Sequence, residues 1–223
     1  MITTKDLQGH WRRDWITAPG YEDATTHVHW MQAGDLFADL RVPADLPALT
    51  GTCLADLGEA ALQSLLRIEG FAGQITVTDS QCTWHREINW QGALARPDVG
   101  AMSLDSGVLI EDGVHAEYRE AWLAQATAPL RGLRIAWGDM TGVLIASEDR
   151  FLFGIGPAPQ DRPVPEIFTS HYALGHWDGA TGIADLSTNP FTCGQPVITR
   201  DTGFIWHAPL FTGGSDPRPL KVQ

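Results

Sequence analysis

The sequence predicts an all-β protein, built as a sandwich or a barrel. Short segments in which apolar and polar residues alternate dominate the chain, and a period of two is typical of strands. The 223 residues include 23 Gly and 14 Pro, a share that suits many turns between short strands. This length is compatible with one large all-β domain or with two small ones.

Alternating segments bounded by turn residues define two sets of predicted strands. The first set is Gly9–Ile16, Thr26–Gln32, Leu36–Val42, Phe71–Thr78, Cys82–Trp90, Gly100–Asp105, Val108–Glu111 and Ala116–Ala124. The second set is Arg131–Trp137, Thr141–Ala146, Arg150–Ile155, Ile167–Ala173, Gly182–Ser187, Pro196–Arg200 and Phe204–Ala208. The turn-prone stretch Gln125–Leu130 separates the sets, which predicts one domain over residues 1–125 and another over 130–223.

Three stretches depart from the strand pattern. Thr52–Glu69 carries apolar residues at helical spacing, which predicts a short helical segment lying over or plugging one end of a barrel. Gly156–Pro165 is rich in Pro and polar residues and predicts a long loop. Gly213–Pro219 predicts a C-terminal tail.

Charge and composition narrow the function classes. The net charge of −12 disfavours nucleic acids and anionic membranes, because both are bound by clusters of Lys and Arg. We expect a cytoplasmic protein, since the first residues lack the apolar run of a secretory signal and no segment reaches transmembrane length. The scattered cysteines (Cys53, Cys82 and Cys193) indicate reduced thiols. The absence of a P-loop, a dinucleotide glycine motif and a Gly-x-Ser-x-Gly elbow predicts no cofactor and no covalent catalysis.

Several short motifs follow one another along the chain. Gly9-His10-Trp11, near the start of a β-rich chain, is similar to the Gly-x-Trp of lipocalins and related calycins. The others are Trp30-Met31-Gln32, Asp39–Pro43, Cys82–Arg86, Asp98-Val99-Gly100, Tyr118–Trp122, Gly142–Ile145 and Arg150–Gly154. Together these motifs resemble the HRI1 family, proteins of fungi with bacterial relatives. The resemblance implies two lipocalin-like antiparallel barrels packed side by side, and it supplies an architecture but no mechanism.

The predicted hairpin near the N-terminus can pair in two registers. With a two-residue turn at Gly34-Asp35, Trp30 faces Asp39, and the same face carries Gln32 and Arg41. We favour this register because it places large apolar residues beside polar anchors. The acid and the arginine would then either orient a ligand or form a salt bridge that only closes a barrel end.

The alternative register has a three-residue turn. His29 would then face Asp39 and His27 would face Arg41, which could pair a base with its orienting carboxylate. His27-x-His29 could also be a metal-binding pair, but the glutamate and glycine that a cupin adds are missing, so we expect no metal site.

An arginine is predicted to point into the first barrel. In the strand Cys82–Trp90, one face carries Trp84, Arg86, Ile88 and Trp90, while the opposite face is polar. An inward arginine requires a carboxylate or an aromatic ring beside it. It could close the barrel end, or it could anchor a carboxylate, phenolate or carbonyl group of a ligand. Its candidate partners are Asp39, Glu111 and Glu120.

A second polar group comes from the last strand of the first half. Tyr118, Glu120 and Trp122 share one face, which predicts that all three lie inside the barrel. A desolvated glutamate can carry a raised pKa and transfer protons near neutrality, or it can simply be paired with Arg41 or Arg86.

The residues therefore predict a small-molecule-binding protein whose pocket lies in the first barrel, with a partly apolar or aromatic ligand. An alternative is a cofactor-independent isomerase, cyclase or lyase that uses Glu120, Tyr118, Asp39 or His29 as acid or base. A third reading is a protein-interaction module without a ligand. The candidate ligand-binding residues are Trp30, Gln32, Asp39, Arg41, Trp84, Arg86, Glu111, Tyr118, Glu120 and Trp122.

Overall fold

The computed structural model contains two antiparallel β-sheets, each curved into a barrel, and describes all 223 residues apart from the side chain of Pro165. Each sheet has nine strands among the described residues. This confirms the predicted all-β class, with two barrels and a short helical segment in the first half. No helix in the described part of the chain is long and apolar enough to cross a membrane.

The elements follow one another in two blocks. The first sheet comprises β1 (Gly9–Ala18), β2 (Tyr21–Asp23), β3 (His27–Ala33), β4 (Leu36–Val42), β5 (Glu69–Thr78), β6 (Gln81–Asn89), β7 (Asp98–Asp105), β8 (Val108–Gly113) and β9 (Arg119–Gln125). The second comprises β10 (Arg131–Trp137), β11 (Met140–Ala146), β12 (Arg150–Gly156), β13 (His171–Asp178), β14 (Thr181–Ser187), β15 (Pro196–Arg200), β16 (Phe204–Pro209), β17 (Ser215–Pro219) and β18 (Lys221–Val222). The helical elements are α1 (Glu59–Leu65), α2 (Val164–Ile167) and 3₁₀ turns over Leu54–Asp56 and Pro190–Thr192.

The first barrel is closed, because β1 pairs with both β3 and β9. From β3 to β9 each strand pairs with its neighbour in the chain, which gives an up-and-down barrel. Its interior packs around the indole of Trp30, which contacts the rings of Trp11, Trp84 and Trp122. Aromatic side chains therefore fill much of the barrel, and polar groups are buried beside them.

The second barrel closes through its C-terminal segment. β17 pairs with β16 and β18 pairs with β10, so residues 215–222 connect the two edges of the sheet. The predicted C-terminal tail over Gly213–Pro219 is therefore wrong. Pro217 and Pro219 interrupt the sequence pattern of a strand, but proline is tolerated at sheet edges, and the unpaired edges of β16 and β10 supply the hydrogen-bond partners.

A third apolar cluster joins the outer faces of the two barrels. The ring of Tyr172 on β13 lies against Gly70 of β5 and Gly154 of β12, and a Cβ at Gly70 would come within 2.6 Å of this ring. Arg134 of β10 also donates to Glu87 of β6 at 2.9 Å. The barrels are therefore held together by close packing and by an ion pair.

The helical segment between β4 and β5 belongs to this junction. Leu54, Leu57 and Leu65 are buried in the cluster between the barrels and not in either barrel interior. The backbone N–H of Ala55 also donates to the carbonyl of Phe211 in the second barrel at 2.9 Å. The segment predicted to cover or plug a barrel end thus packs between the barrels.

The predicted strand Ile167–Ala173 is displaced from the observed strand β13 (His171–Asp178). The helix α2 (Val164–Ile167) occupies the preceding residues, and Pro163 precedes its first turn in an extended conformation. A proline at a helix start has no N–H to lose to the intrahelical hydrogen bonds, so the chain turns helically there before the strand begins.

Candidate functional site

A cavity of about 180 Å³ lies inside the first barrel. The lining residues Ile16, Arg41 and Tyr118 are only half-buried, so solvent reaches the cavity at the barrel end where these residues lie. Nine of the ten ligand-binding candidates line it, and Gln32 does not. The lining consists of Ile16, Trp30, Asp39, Arg41, Phe71, Trp84, Arg86, Asp98, Glu111, Tyr118, Glu120 and Trp122.

The hairpin β3–β4 supplies two of the charged groups, Asp39 and Arg41. Its strands pair in the favoured register, which is thereby confirmed. Gly34 has φ +62 at the first central position of a two-residue turn, the position that glycine occupies in type II′ turns. Trp30 therefore faces Asp39 across the ladder. The side chain of Arg41 bends back and donates Nε to Oδ1 of Asp39 at 2.9 Å.

Glu120 on β9 is held by two arginines. Arg13 of β1 donates Nη1 to Oε1 of Glu120 at 2.8 Å, and Nη1 of Arg41 lies 3.6 Å from the same oxygen. The predicted partner Arg41 is thus present, whereas Arg86 pairs elsewhere. Arg13 was not predicted as a partner of Glu120. It lies two residues after Trp11 on the same face of β1, the same spacing that identified Arg86 after Trp84. Its other donor group, Nη2, binds Asp23 of β2 at 2.7 Å.

Arg86 binds Asp98 and not the three predicted partners, Asp39, Glu111 and Glu120. Its Nη2 and Nε donate to Oδ2 of Asp98 at 2.6 and 3.0 Å. Its guanidinium also lies 3.4 Å from the centre of the Phe71 ring. The pairing arises because Asp98 begins β7 beside Trp84 of β6, within reach of an arginine two residues further along.

The face predicted for β6 is correct only in part. Trp84 and Arg86 point into the barrel, whereas Ile88 and Trp90 are buried outside it, between the barrels. A β-bulge beside Gly73 shifts the pairing of β5 with β6 and reverses the alternation beyond Arg86. A side chain at this glycine would overlap the carbonyl of His85, so the bulge depends on glycine.

Glu111 is a lining carboxylate without a cationic partner within 4 Å among the described side chains. It lies directly opposite Glu120 in the pairing of β8 with β9. Tyr118 donates its hydroxyl to Oε1 at 2.6 Å, and the indole of Trp122 donates to Oε2 at 3.0 Å. Gly100 on β7 leaves room for this side chain, since a Cβ there would lie 2.7 Å from Cγ of Glu111.

Burial shifts the pKa values of two lining acids. Burial raises the pKa of Glu111 to about 8, and the negative charge of Glu120 acts in the same direction. Burial also raises the pKa of Asp39 to about 6, although the positive charge of Arg41 opposes the shift. The cavity therefore contains two carboxyl groups whose protonated forms are favoured by burial.

Replacing Glu111 with glutamine is expected to change how stability depends on pH. Between the ordinary glutamate pKa of 4.5 and the raised pKa of about 8, Glu111 is protonated in the folded protein but ionised in the unfolded chain. The wild type therefore loses stability relative to the variant as the pH rises through this window. The unfolding free energy of Glu111→Gln minus that of the wild type should therefore be larger at about pH 9 than at about pH 5 in urea titrations. The exposed residue Glu22 provides the control, Glu22→Gln. An equal difference at both pH values would contradict the prediction.

Two candidates lie outside the cavity. Gln32 sits near the hairpin turn, where it accepts from the indole of Trp30 at 3.3 Å and donates to the carbonyl of Gly34 at 2.8 Å. The side chain of His29 projects from the other face of β3, where Nδ1 lies 2.9 Å from Nε2 of His10. Burial lowers the pKa of His29 to about 3. Within the described residues no group of three or more His, Cys, Asp or Glu could hold a metal ion.

Comparison with known proteins identifies the fold. No protein-family profile matches the sequence, and no curated protein sequence matches it. The structure is similar to the crystal structure of an uncharacterised protein of Saccharomyces cerevisiae, YLR301w. The TM-score is 0.56, the sequence identity is 12%, and the similarity covers 96% of each chain. The chain thus shares a double-barrel fold with this yeast protein along nearly its whole length.

Proposed function

We propose that this protein binds a small molecule in the cavity of its first barrel. The observation that carries the proposal is the cavity itself, which lies inside a closed barrel and is lined by aromatic and charged side chains. A barrel of this size is just wide enough for side chains to fill its interior or for one small ligand to be held there. Binding sites combine an apolar wall with a few convergent polar groups, as this cavity does.

The volume limits the size of the ligand. An apolar cavity of about 150 Å³ holds one benzene ring. The cavity of about 180 Å³ in the first barrel therefore suits a single ring with a short substituent. The walls formed by Trp30, Trp84 and Trp122 would contact the apolar part of such a ligand.

Native mass spectrometry of the freshly purified protein tests the proposal. We expect the wild type to retain a small molecule, and we expect the variant Ile16→Trp to lose it, because the larger side chain occupies the cavity. Ile205→Trp is the matched control, since Ile205 is exposed on the second barrel. A wild type that retains no more small molecule than Ile16→Trp, from purification or after incubation with a cell extract, would contradict the proposal.

Proton-transfer catalysis in the same cavity is the second candidate function, and Glu111 favours it. The four acid–base candidates are less suited: Glu120 and Asp39 are paired with arginines, Tyr118 donates to Glu111, and His29 lies outside the cavity. A glutamate that titrates near neutrality can act as general acid or base. If the retained molecule is a substrate, incubation should convert it to a product of different retention time or mass, and Glu111→Gln should abolish the conversion.

We further propose that the chain is a member of the HRI1 family and that it acts in the cytoplasm. The family resemblance implies two side-by-side barrels, an architecture that this chain and the yeast protein share. The cysteines Cys53, Cys82 and Cys193 are free thiols, which suits a reducing compartment.

A further inference from the structure

We propose that the cavity of the first barrel selects small organic cations, with Glu111 as the counter-ion and the indoles of Trp30, Trp84 and Trp122 as the aromatic wall. This inference rests on the proposed function, since it names the chemical class of the ligand for the same site. It differs from the expectation that Arg86 anchors a carboxylate, phenolate or carbonyl group.

The first argument for a cationic ligand is the way the charged residues of the lining are paired. Four carboxylates line the cavity with two arginines, and Arg13 behind the lining is shared between Glu120 and Asp23. Asp98 is paired with Arg86, Asp39 with Arg41, and Glu120 with both Arg13 and Arg41. Glu111 is thus left without a cation among the described side chains, so a positively charged group on a ligand would meet a carboxyl group that no arginine engages.

The two lining arginines are poorly placed to receive an anion. Arg86 directs Nε and Nη2 to a single oxygen of Asp98 and is stacked on Phe71. Arg41 is engaged by Asp39 and lies 3.6 Å from Glu120. An anionic ligand would have to displace one of these carboxylates, and the displaced carboxylate would lose its cationic partner while still inside the barrel.

The position of Glu111 is well defined before any ligand binds. Each of its oxygens accepts one hydrogen bond, from Tyr118 and from Trp122, and a carboxylate oxygen can accept a second. A Cβ at Gly100 would contact this glutamate, and one at Gly113 would contact the ring of Tyr118. The two glycines face each other across β7 and β8 and so let both side chains lie close to the sheet.

The aromatic wall lies next to this carboxylate. The centre of the Trp30 ring lies 5.7 Å from the ring centres of Trp84 and of Trp122, in edge-on geometry, and the indole of Trp122 is also a donor to Glu111. Cations are attracted to the faces of indole rings, most strongly where water is excluded. A small cavity lined by a carboxylate and indole rings is therefore complementary to a ligand that joins an ammonium or amidinium group to an apolar ring.

Proton release on binding follows from the same arrangement. A cation stabilises the ionised form of Glu111, whose pKa is raised in the empty cavity, so binding below about pH 8 releases a proton and strengthens as the pH rises. The titratable or charged groups around this glutamate lie on β4, β6, β7 and β9, apart from Tyr118, which directly precedes β9. They are Arg41, Cys82, Asp98, Glu120 and Tyr118.

Calorimetric titration with three single-ring probes of similar size tests the inference: benzylammonium, benzyl alcohol and benzoate. We expect benzylammonium to bind at least about tenfold more tightly than benzyl alcohol, and benzoate to bind most weakly. Buffers of different ionisation enthalpy should report proton release for benzylammonium alone. In Glu111→Gln the preference for the cation over the alcohol should disappear, while binding of the alcohol should persist.

The control Glu22→Gln removes the same charge from an exposed position and should leave the preference unchanged. Tighter binding of benzoate, or a cation preference that survives in Glu111→Gln, would overturn the inference. If no probe binds while native mass spectrometry shows a retained neutral or anionic molecule, this inference fails and the proposed function stands. If neither a probe nor any other molecule is bound, both fail.

Discussion

Replacing Arg13 with leucine is expected to lower the free energy of unfolding by about 3–5 kcal/mol. The guanidinium of Arg13 joins Glu120 at 2.8 Å and Asp23 at 2.7 Å, and all three side chains are less than a tenth exposed. Without it, buried Glu120 keeps only the more distant Arg41, at 3.6 Å, and Asp23 keeps only its hydrogen bonds from Thr25 and Thr26. Leucine retains an apolar side chain for packing, so the loss measures mainly the uncompensated charge.

Urea titrations followed by tryptophan fluorescence measure this effect, because urea does not screen ion pairs. The control is Arg119→Leu, which breaks an exposed pair with Asp112 and should cost at most about 1 kcal/mol. The double variant Arg13→Leu with Glu120→Gln should recover part of the lost stability, since one stranded charge is removed. A loss no larger than that of the control, or a double variant less stable than the single one, would contradict the explanation.

Replacing Tyr172 with alanine is also expected to cost about 3–5 kcal/mol. The ring is fully buried between the barrels, and its neighbours Gly70 and Gly154 have no side chains that could fill the space it leaves. The variant should therefore weaken the contact between the barrels as well as the core of β13. Urea titration measures the loss, and separate unfolding transitions for the two barrels would show that their coupling depends on this ring.

The conservative variant Tyr172→Phe provides the matched comparison. No hydrogen-bond partner for the Tyr172 hydroxyl is present in the described part of the chain, although the oxygen is buried. Its removal should therefore leave stability within about 1 kcal/mol of the wild type, or raise it. If Phe costs as much as Ala, the hydroxyl and not the packing of the ring stabilises the junction.

Local features were predictable where the responsible interactions are close in sequence. The predicted bounds of β4, β10 and β15 agree with the structure. The Gly34-Asp35 turn determines the register of the hairpin, so the face with Trp30 and Asp39 follows from a few neighbouring residues. Most of the cavity lining could be selected for the same reason, because alternation along single strands identifies the inward face.

Features that depend on breaks in this alternation were not predictable. A bulge beside Gly73 separates Arg86, which points into the barrel, from Ile88, which packs between the barrels. The sequence shows an uninterrupted alternating segment there, since the extra residue is accommodated only against the partner strand. The C-terminal strands were missed for a related reason, because they form on edges that exist only once the second barrel has curved.

The sequence by itself determined the all-β class, most of the strands and most of the polar residues that face the first barrel. Only the tertiary structure decided how these residues pair. Closure of β1 against β9 brings Arg13 to Glu120 across 107 positions of the chain, and the start of β7 gives Asp98 to Arg86. Glu111 is left without a cation because those arginines are already engaged. Ion pairing depends on distances of a few ångströms between strands, whereas the sequence pattern specifies only the face to which each side chain points.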